Sequence, residues 1–372
     1  MRLVIAILLA TTMWVGSAAA VELTGQYTNL AFQTKNSSQR EVVTDLQRLR
    51  LTLADEREAW SYQFSYDHEL LYGGLVRDPV FRTQLNTPDP TWADLSAVLG
   101  RDRSSYWRHT LYRGWIAYRA GDWQLTLGRQ RIAWGSGRIW NPTDRFNPVQ
   151  PTALEQEQKL GVDAADLTWR YSGFGAVQLV AAPGRASYGT SRKMALRWHD
   201  TLGGVDMALL GGRIGDENVA GLDMTGNVGD AGARLELMQS WQGPRGSYAQ
   251  LSTGIDYTWT TDWLPNGLYL AAEYFYNGAP GISLTAQPDR LQSLSRQLVG
   301  LLAGYDLTPL WRLDLLGIAD VTRRGWFIAP RLTWSVVENV DLSFIGQWPG
   351  GRPDAEFARY NRLLAARLDW YF

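Results

Sequence analysis

From residue 48 onward the chain keeps returning to one pattern, in which every second side chain is apolar and the ones between are polar. Leu49, Leu51 and Leu53 alternate with Arg48, Arg50 and Thr52. Trp60, Tyr62, Phe64 and Tyr66 alternate with Ser61, Gln63, Ser65 and Asp67. The same holds for Trp123, Leu125 and Leu127 against Gln124 and Thr126, for Ile255, Tyr257 and Trp259 against Asp256 and Thr258, and for Leu342 and Phe344 against Asp341 and Ser343. A strand turns successive side chains to opposite faces, so each run predicts a strand with one apolar and one polar face. Segmenting the chain this way gives about 18 strands; the weakest, near 174–182 and 218–226, leave 16 as the alternative even count.

A soluble β-sandwich or β-helix also alternates. However, ~18 strands with aromatic residues on the apolar face leave more apolar surface than two packed layers hide. A closed all-β barrel in a membrane turns that face to lipid and its polar face to a wet lumen. The 18 Trp, 17 Tyr and 10 Phe suit interfacial girdles. A mean hydropathy of -0.24 looks soluble, yet a wet lumen requires it, since only alternate residues meet lipid. After residue 20 no run of ~18 apolar residues occurs, which excludes a membrane-spanning helix. The chain has no cysteine, so it offers no disulfide, thiolate metal site or cysteine nucleophile. The formal net charge of -1 gives no reason to expect a nucleic-acid partner.

Turn chemistry separates the strands. Short breaks fall at Ala120-Gly121-Asp122, 172–175, 202–204, 229–232 and Glu338-Asn339, and longer ones near 74–105, 132–162, 278–296 and 348–358. Barrels of this kind have short periplasmic turns and longer external loops. The first residues, Met1-Arg2, a largely apolar stretch from Leu3 to Val15 and Gly16-Ser17-Ala18-Ala19-Ala20, read as a secretory signal over 1–20, cut before Val21. Residues 21–372 then form a single transmembrane β-barrel domain. At the other end Leu364, Ala366, Leu368, Trp370 and Phe372 share one parity, with Arg367 and Asp369 on the other.

A secreted chain ending in an amphipathic strand closed by an aromatic residue resembles a bacterial outer-membrane β-barrel. That resemblance implies that the barrel-assembly machinery recognises the terminal Phe372, and that outer-membrane lipid and lipopolysaccharide surround the barrel. The stretch 128–148 narrows it. It reads Gly128-Arg129-Gln130-Arg131, then Trp134-Gly135-Ser136-Gly137-Arg138, Trp140-Asn141-Pro142-Thr143-Asp144-Arg145 and Asn147-Pro148. This segment resembles one in the porin-like and alginate-export-like barrels of proteobacteria, where the loop folds inward and narrows the pore. The resemblance implies a constriction built from Arg129, Arg131, Trp134, Arg138, Trp140 and Arg145. Arginine forks bind oxyanions and indole rings stack on sugars. Equally open is that the arginines pair with Asp144, Glu155 and Glu157 and fasten the loop, with Trp134 and Trp140 packing it on the wall.

The polar parity carries Arg48, Arg50, Arg113, Arg170, Arg197 and Arg331 into the lumen, beside acids such as Asp67, Asp166, Glu236, Asp256 and Glu273. The balance is slightly basic. That suits a mild preference for anions, or simply a wall of cross-strand pairs. Gly135-Ser136-Gly137 lacks the Gly-Lys-Ser or Gly-Lys-Thr of a phosphate-cradling loop. The three histidines, His68, His109 and His199, are scattered and suggest no metal site or triad. The expected activity is therefore a channel, porin or exporter, for small, anionic or sugar-like solutes, with no cofactor. The alternative is a scaffold barrel partnering an envelope or polysaccharide-export complex, and a barrel enzyme is the remote third.

Overall fold

The computed structural model describes residues 21–372 except 88, 149, 157, 189, 244–245 and 282–289. The signal expected over 1–20 and the pairing expected of Glu157 lie outside the described residues. Strands β1 (Glu22–Lys35), β2 (Glu41–Arg57), β3 (Trp60–Gly73), β4 (Ser96–Arg101), β5 (Ser105–Ala120), β6 (Trp123–Gln130), β7 (Val162–Arg170), β8 (Ala176–Ala182) and β9 (Lys193–Leu202) form the first half. The second half comprises β10 (Val205–Ile214), β11 (Glu217–Val228), β12 (Ala231–Gly243), β13 (Gly246–Thr261), β14 (Leu264–Asn277), β15 (Gln297–Thr308), β16 (Trp311–Asp320), β17 (Gly325–Val337), β18 (Val340–Gly351) and β19 (Leu363–Tyr371). Each pairs antiparallel with its neighbour, and β1 pairs with β19 to close the ring. Of the 19 strands, β4 stands outside the ring because β3 pairs directly with β5, which leaves 18. The two segments with the weakest alternation are strands β8 and β11, so 18 rather than 16 is the count.

The closing seam is tight. The Gly25 amide donates to the Phe372 carbonyl at 2.6 Å and the Phe372 amide to the Gly25 carbonyl at 2.9 Å. A Cβ on residue 25 would stand 2.2 Å from the Phe372 ring, so glycine makes room for that aromatic residue. Both ends of the ring's chain lie at the end that carries the short turns, and the long connections gather at the other. Aromatic pairs mark the short-turn rim on the outer face: Trp60 with Tyr118 at 4.7 Å, Trp123 with Trp169 at 5.6 Å and Trp311 with Trp334 at 5.2 Å between ring centroids. His68 and His109 also face outward, as register partners on β3 and β5.

Two features of the long connection after β3 escape the alternation pattern. Asp78 caps a short helix, α1 (Pro79–Leu85), its side chain accepting the Val80 and Phe81 amides at 2.9 and 3.2 Å. β4 then hairpins back onto β5. It pairs with β5 residues 106–110, while β6 pairs with β5 only from Gly114 down to Ala120. β4 thus takes the place along β5 that β6 vacates when it leaves the wall at Gln130. At the other margin, β18 runs to Gly351, so the last long connection is 352–362 rather than 348–358.

Candidate functional site: a loop seated inside the barrel

The connection from β6 to β7, residues 131–161, folds into the lumen. Its first residues are extended, and their burial alternates: Arg131 and Ala133 are exposed, Ile132 and Trp134 are buried. In an extended segment that alternation means one side lies on the wall and the other looks into the open lumen. Ile132, Trp134 and Phe146 join a buried cluster with Val180 of β8, Ala195 of β9, Leu210 of β10 and Met238 of β12. Trp134 packs edge-on against Phe146 at 4.9 Å and its indole N–H donates to Gln178 at 2.9 Å. Further along, Ile139 and Trp140 join a second cluster with Phe275, Leu298, Ile318 and Phe327, on strands β14 to β17.

Between the two clusters the backbone itself is held. The Ser136 and Gly137 amides donate to Glu236 Oε1 at 2.8 and 2.7 Å. The Thr143 amide and hydroxyl donate to Glu236 Oε2 at 3.1 and 2.6 Å. Glu273 accepts the Arg138 amide, the Ile139 amide at 2.8 Å and the Trp140 amide at 3.1 Å, and Asp223 accepts the Ser136 hydroxyl. These acids stand on β11, β12 and β14, and Glu236 is only 1 % exposed. A loop without regular structure leaves its amides unpaired, and buried amides demand acceptors. Here wall carboxylates supply them. The glycines follow from this arrangement. A Cβ at Gly135 would lie 2.7 Å from a Glu236 oxygen, and one at Gly137 would lie 2.1 Å from the Trp140 carbonyl. The Trp-Gly-Ser-Gly stretch therefore cradles a carboxyl group, and that group is the protein's own Glu236.

The second arm, 148–161, runs along the opposite part of the wall. Leu154 packs against the cluster of Leu30, Ile345 and Ala365 on β1, β18 and β19. Glu155 receives both terminal nitrogens of Arg48 at 2.9 and 3.1 Å, and Arg48 Nε donates to Glu69 at 2.7 Å. Arg113 donates to the Lys159 carbonyl at 2.5 Å. Lys159 Nζ lies 3.7 Å from Asp144, which is buried. Burial pushes the Asp144 carboxyl up to about 6, against the pull of Lys159. Burial also holds the Lys159 ammonium below its ordinary value, with Arg131 and Arg113 adding repulsion.

The constriction expected from Arg129, Arg131, Trp134, Arg138, Trp140 and Arg145 divides. Arg129 does not face the passage. It is 1 % exposed, pairs with Asp163 of β7 at 2.9 Å, and donates to the carbonyls of Leu111 and Ala93. Its parity is that of Leu125 and Leu127, the outer face, where an unpaired charge at mid-depth costs roughly 2–4 kcal/mol. Arg145 is likewise buried, on Glu217 at 2.8 Å and Ser240 at 2.9 Å. Trp134 and Trp140 are buried packing residues, with Trp140 stacked on Phe275 at 5.6 Å, so neither offers a free face to a sugar. Arg131 and Arg138 remain exposed; Arg138 reaches Asp256 at 3.5 Å. Of the expected partners among the described residues, Asp144 meets Lys159 and Glu155 meets Arg48.

The six wall arginines vary in the same way. Arg48 is taken by Glu69 and Glu155, and Arg50 by both oxygens of Asp67 at 2.6 Å. Arg113 and Arg50 lie over the Tyr112 ring at 4.2 and 3.5 Å. Arg197 faces the Asp223 and Glu236 side, Arg331 stands opposite Asp314 on β16, and Arg170 is exposed near the short-turn end. Among the described residues, neither Arg113 nor Arg131 has a carboxylate at ion-pair distance. Tyr112 and Lys159 belong to this site without a sequence signal of their own, and Glu236 and Glu273, expected as lumenal acids, act as the acceptors of the loop amides. The signal was available: two glycines among unpaired loop amides require acceptors, and inward acids supply them.

No protein-family model and no curated protein matches the chain. Solved structures do. Acinetobacter baumannii OccAB2 aligns with TM-score 0.63 at 8 % identity, over 94 % of this chain and 97 % of its own. A BenF-like porin from Pseudomonas fluorescens Pf-5 aligns with TM-score 0.60 at 9 % identity, over 96 % and 100 %. Pseudomonas aeruginosa OpdK, solved with vanillate, aligns with TM-score 0.56 at 10 % identity, over 94 % and 98 %. The likeness is one of fold, that of an outer-membrane porin barrel. The alginate-export-like part of the expected resemblance has no counterpart among these structures.

Proposed function

We propose that this outer-membrane barrel is a diffusion channel for small solutes, with a preference for anions set where Arg131 looks into the lumen. The observation that carries the reading is the exposure of Arg131 opposite the buried Ile132 and Trp134. Arg113 and Lys159 stand near enough to repel one another and Arg131. A fixed cluster of one sign in a narrow wet passage raises the local concentration of the other sign. One unit charge at about 4 Å in water is worth about 1 kcal/mol, which is roughly a fivefold change in local anion concentration. Vanillate, the compound in the OpdK structure, is a small carboxylate of the same class. The loop is the size filter in this reading, seated by its amides on Glu236 and Glu273. The sugar-like alternative loses its support, because Trp134 and Trp140 have no free ring faces.

The test is the reversal potential of the purified barrel in planar bilayers under a potassium chloride gradient. The wild type should favour chloride, and Arg131→Ala should lower that preference with the barrel still assembled. An unchanged reversal potential in Arg131→Ala would assign the charge no role in selectivity.

A further inference from the structure

Beneath helix α1, on the long-loop side, lies a cavity of about 460 Å³ inside the barrel mouth. Its walls are the inner faces of β1, β2, β3 and β5, the helix, and the second arm of the inward loop. One side is apolar, with Phe32, Leu46 and Leu71 from the wall, Tyr106 from β5, and Phe81 and Leu85 from the helix. The other side is a ribbon of alternating charge. Asp89 pairs with Arg108 at 3.1 Å, Arg108 with Glu69 at 2.7 Å, Glu69 with Arg48 at 2.7 Å, and Arg48 with Glu155 at 2.9 Å.

Both ends of that ribbon are carboxylates, so three acids face two guanidinium groups and the ribbon keeps a formal surplus of one negative charge. Among the described residues Asp89 Oδ2 has no hydrogen-bond partner, although a buried carboxylate oxygen ordinarily has one. Both arginines are already committed to carboxylates, so an incoming anion meets surplus negative charge. Glu155 already holds both terminal nitrogens of Arg48, so an incoming cation meets the surplus negative charge at Asp89 and, on the far side, aromatic and aliphatic surface. A bare inorganic cation would leave that apolar surface unused.

We propose that this cavity is a binding subsite for an ammonium group carried on an apolar body about the size of a phenyl ring. The ammonium lies at the Asp89 end of the ribbon and the body lies between Phe81, Leu85 and Tyr106. The subsite stands at the mouth of the proposed channel, and its occupancy does not depend on conduction. It also differs in sign from the arginine cluster deeper in the lumen.

The test is isothermal titration calorimetry on the full barrel in detergent, with phenethylamine as the probe. Methylammonium has the charge without the body, and 3-phenylpropanoate has the body with the opposite charge. Phenethylamine should bind, and each of the other two should bind at least roughly tenfold more weakly. Phe81→Ala and Asp89→Asn should each weaken phenethylamine binding several-fold, with heat-dependent electrophoretic mobility verifying that the variants are assembled. No binding of phenethylamine, equal binding of 3-phenylpropanoate, or binding unaffected by both substitutions would overturn the proposal. Any of these leaves the channel reading standing, whereas a barrel with no conductance sinks that reading and leaves the calorimetry valid.

Discussion

Along residues 131–147 the inward loop presents backbone amides, and the wall answers with buried carboxylates and a broad apolar cluster. Along 148–161 the wall reaches out instead. Arg48 takes Glu155, Arg113 takes the Lys159 carbonyl, and one leucine packs down. The two arms belong to one loop but are held by different chemistry. Amides fixed on a buried carboxylate have no rotamers to lose and no water to compete with, so the first arm is a rigid part of the wall. Side-chain pairs near the mouth carry more conformational entropy and stay closer to solvent, so the second arm is the adjustable one.

Glu236→Ala should break the comparison most severely. It strips acceptors from the Ser136, Gly137 and Thr143 amides and from the Thr143 hydroxyl. A buried donor left without its acceptor costs roughly 1–3 kcal/mol. The first arm should come off the wall, and single-channel conductance and open-channel noise should both rise. A variant with wild-type conductance would show that the apolar cluster alone seats the arm.

Glu155→Ala should have a smaller effect, because Arg48 keeps Glu69. The expected outcome is faster trypsin cleavage after Lys159 from the long-loop side, with conductance near that of the wild type. If cleavage there is no faster, the second arm is as firmly seated as the first.

The smallest effect expected is a titration. Asp144 ionises at about 6. Above that pH its charge offsets Lys159 at 3.7 Å; below it the carboxyl is neutral and the passage is more positive. Anion preference should therefore rise modestly as pH falls through about 6, and Asp144→Asn should abolish the step. A step of the same size in Asp144→Asn would assign it to another group.

Alternation made the ring legible, because a lipid-facing wall imposes a period of two on every strand. The strands β8 and β11 read weakly because Val180 and Val219 face inward into the apolar cluster beneath the loop, so both their faces carry apolar residues. Helix α1 has only seven residues, too few to show a helical period, and a single cap at Asp78 holds it. β4 is legible only from the structure, since it exists to fill the space that β6 leaves. In the site, Arg129 and Arg131 read alike as basic residues two apart. The parity of Leu125 and Leu127 already carried Arg129 away from the lumen, and the turn after Gln130 changes the side for Arg131. The acceptors Glu236 and Glu273 sit about a hundred residues and more from the amides they hold, a distance that no local pattern spans.

The wall is not equally tall all the way round. β8 has seven residues and β6 eight, whereas β2 has seventeen. Seven residues rising roughly 3.3 Å each and tilted about 40° climb roughly 18 Å, short of an apolar band about 25 Å tall. β4 and the residues before it cover that shortfall, with Trp92, Leu95, Val98 and Leu99 exposed on the outside. Hydrophobic mismatch on one flank thins the adjoining bilayer or tilts the protein. On this flank the apolar outer band is continued by residues 92–99, so the protein itself, rather than the lipid, makes up the difference in strand length.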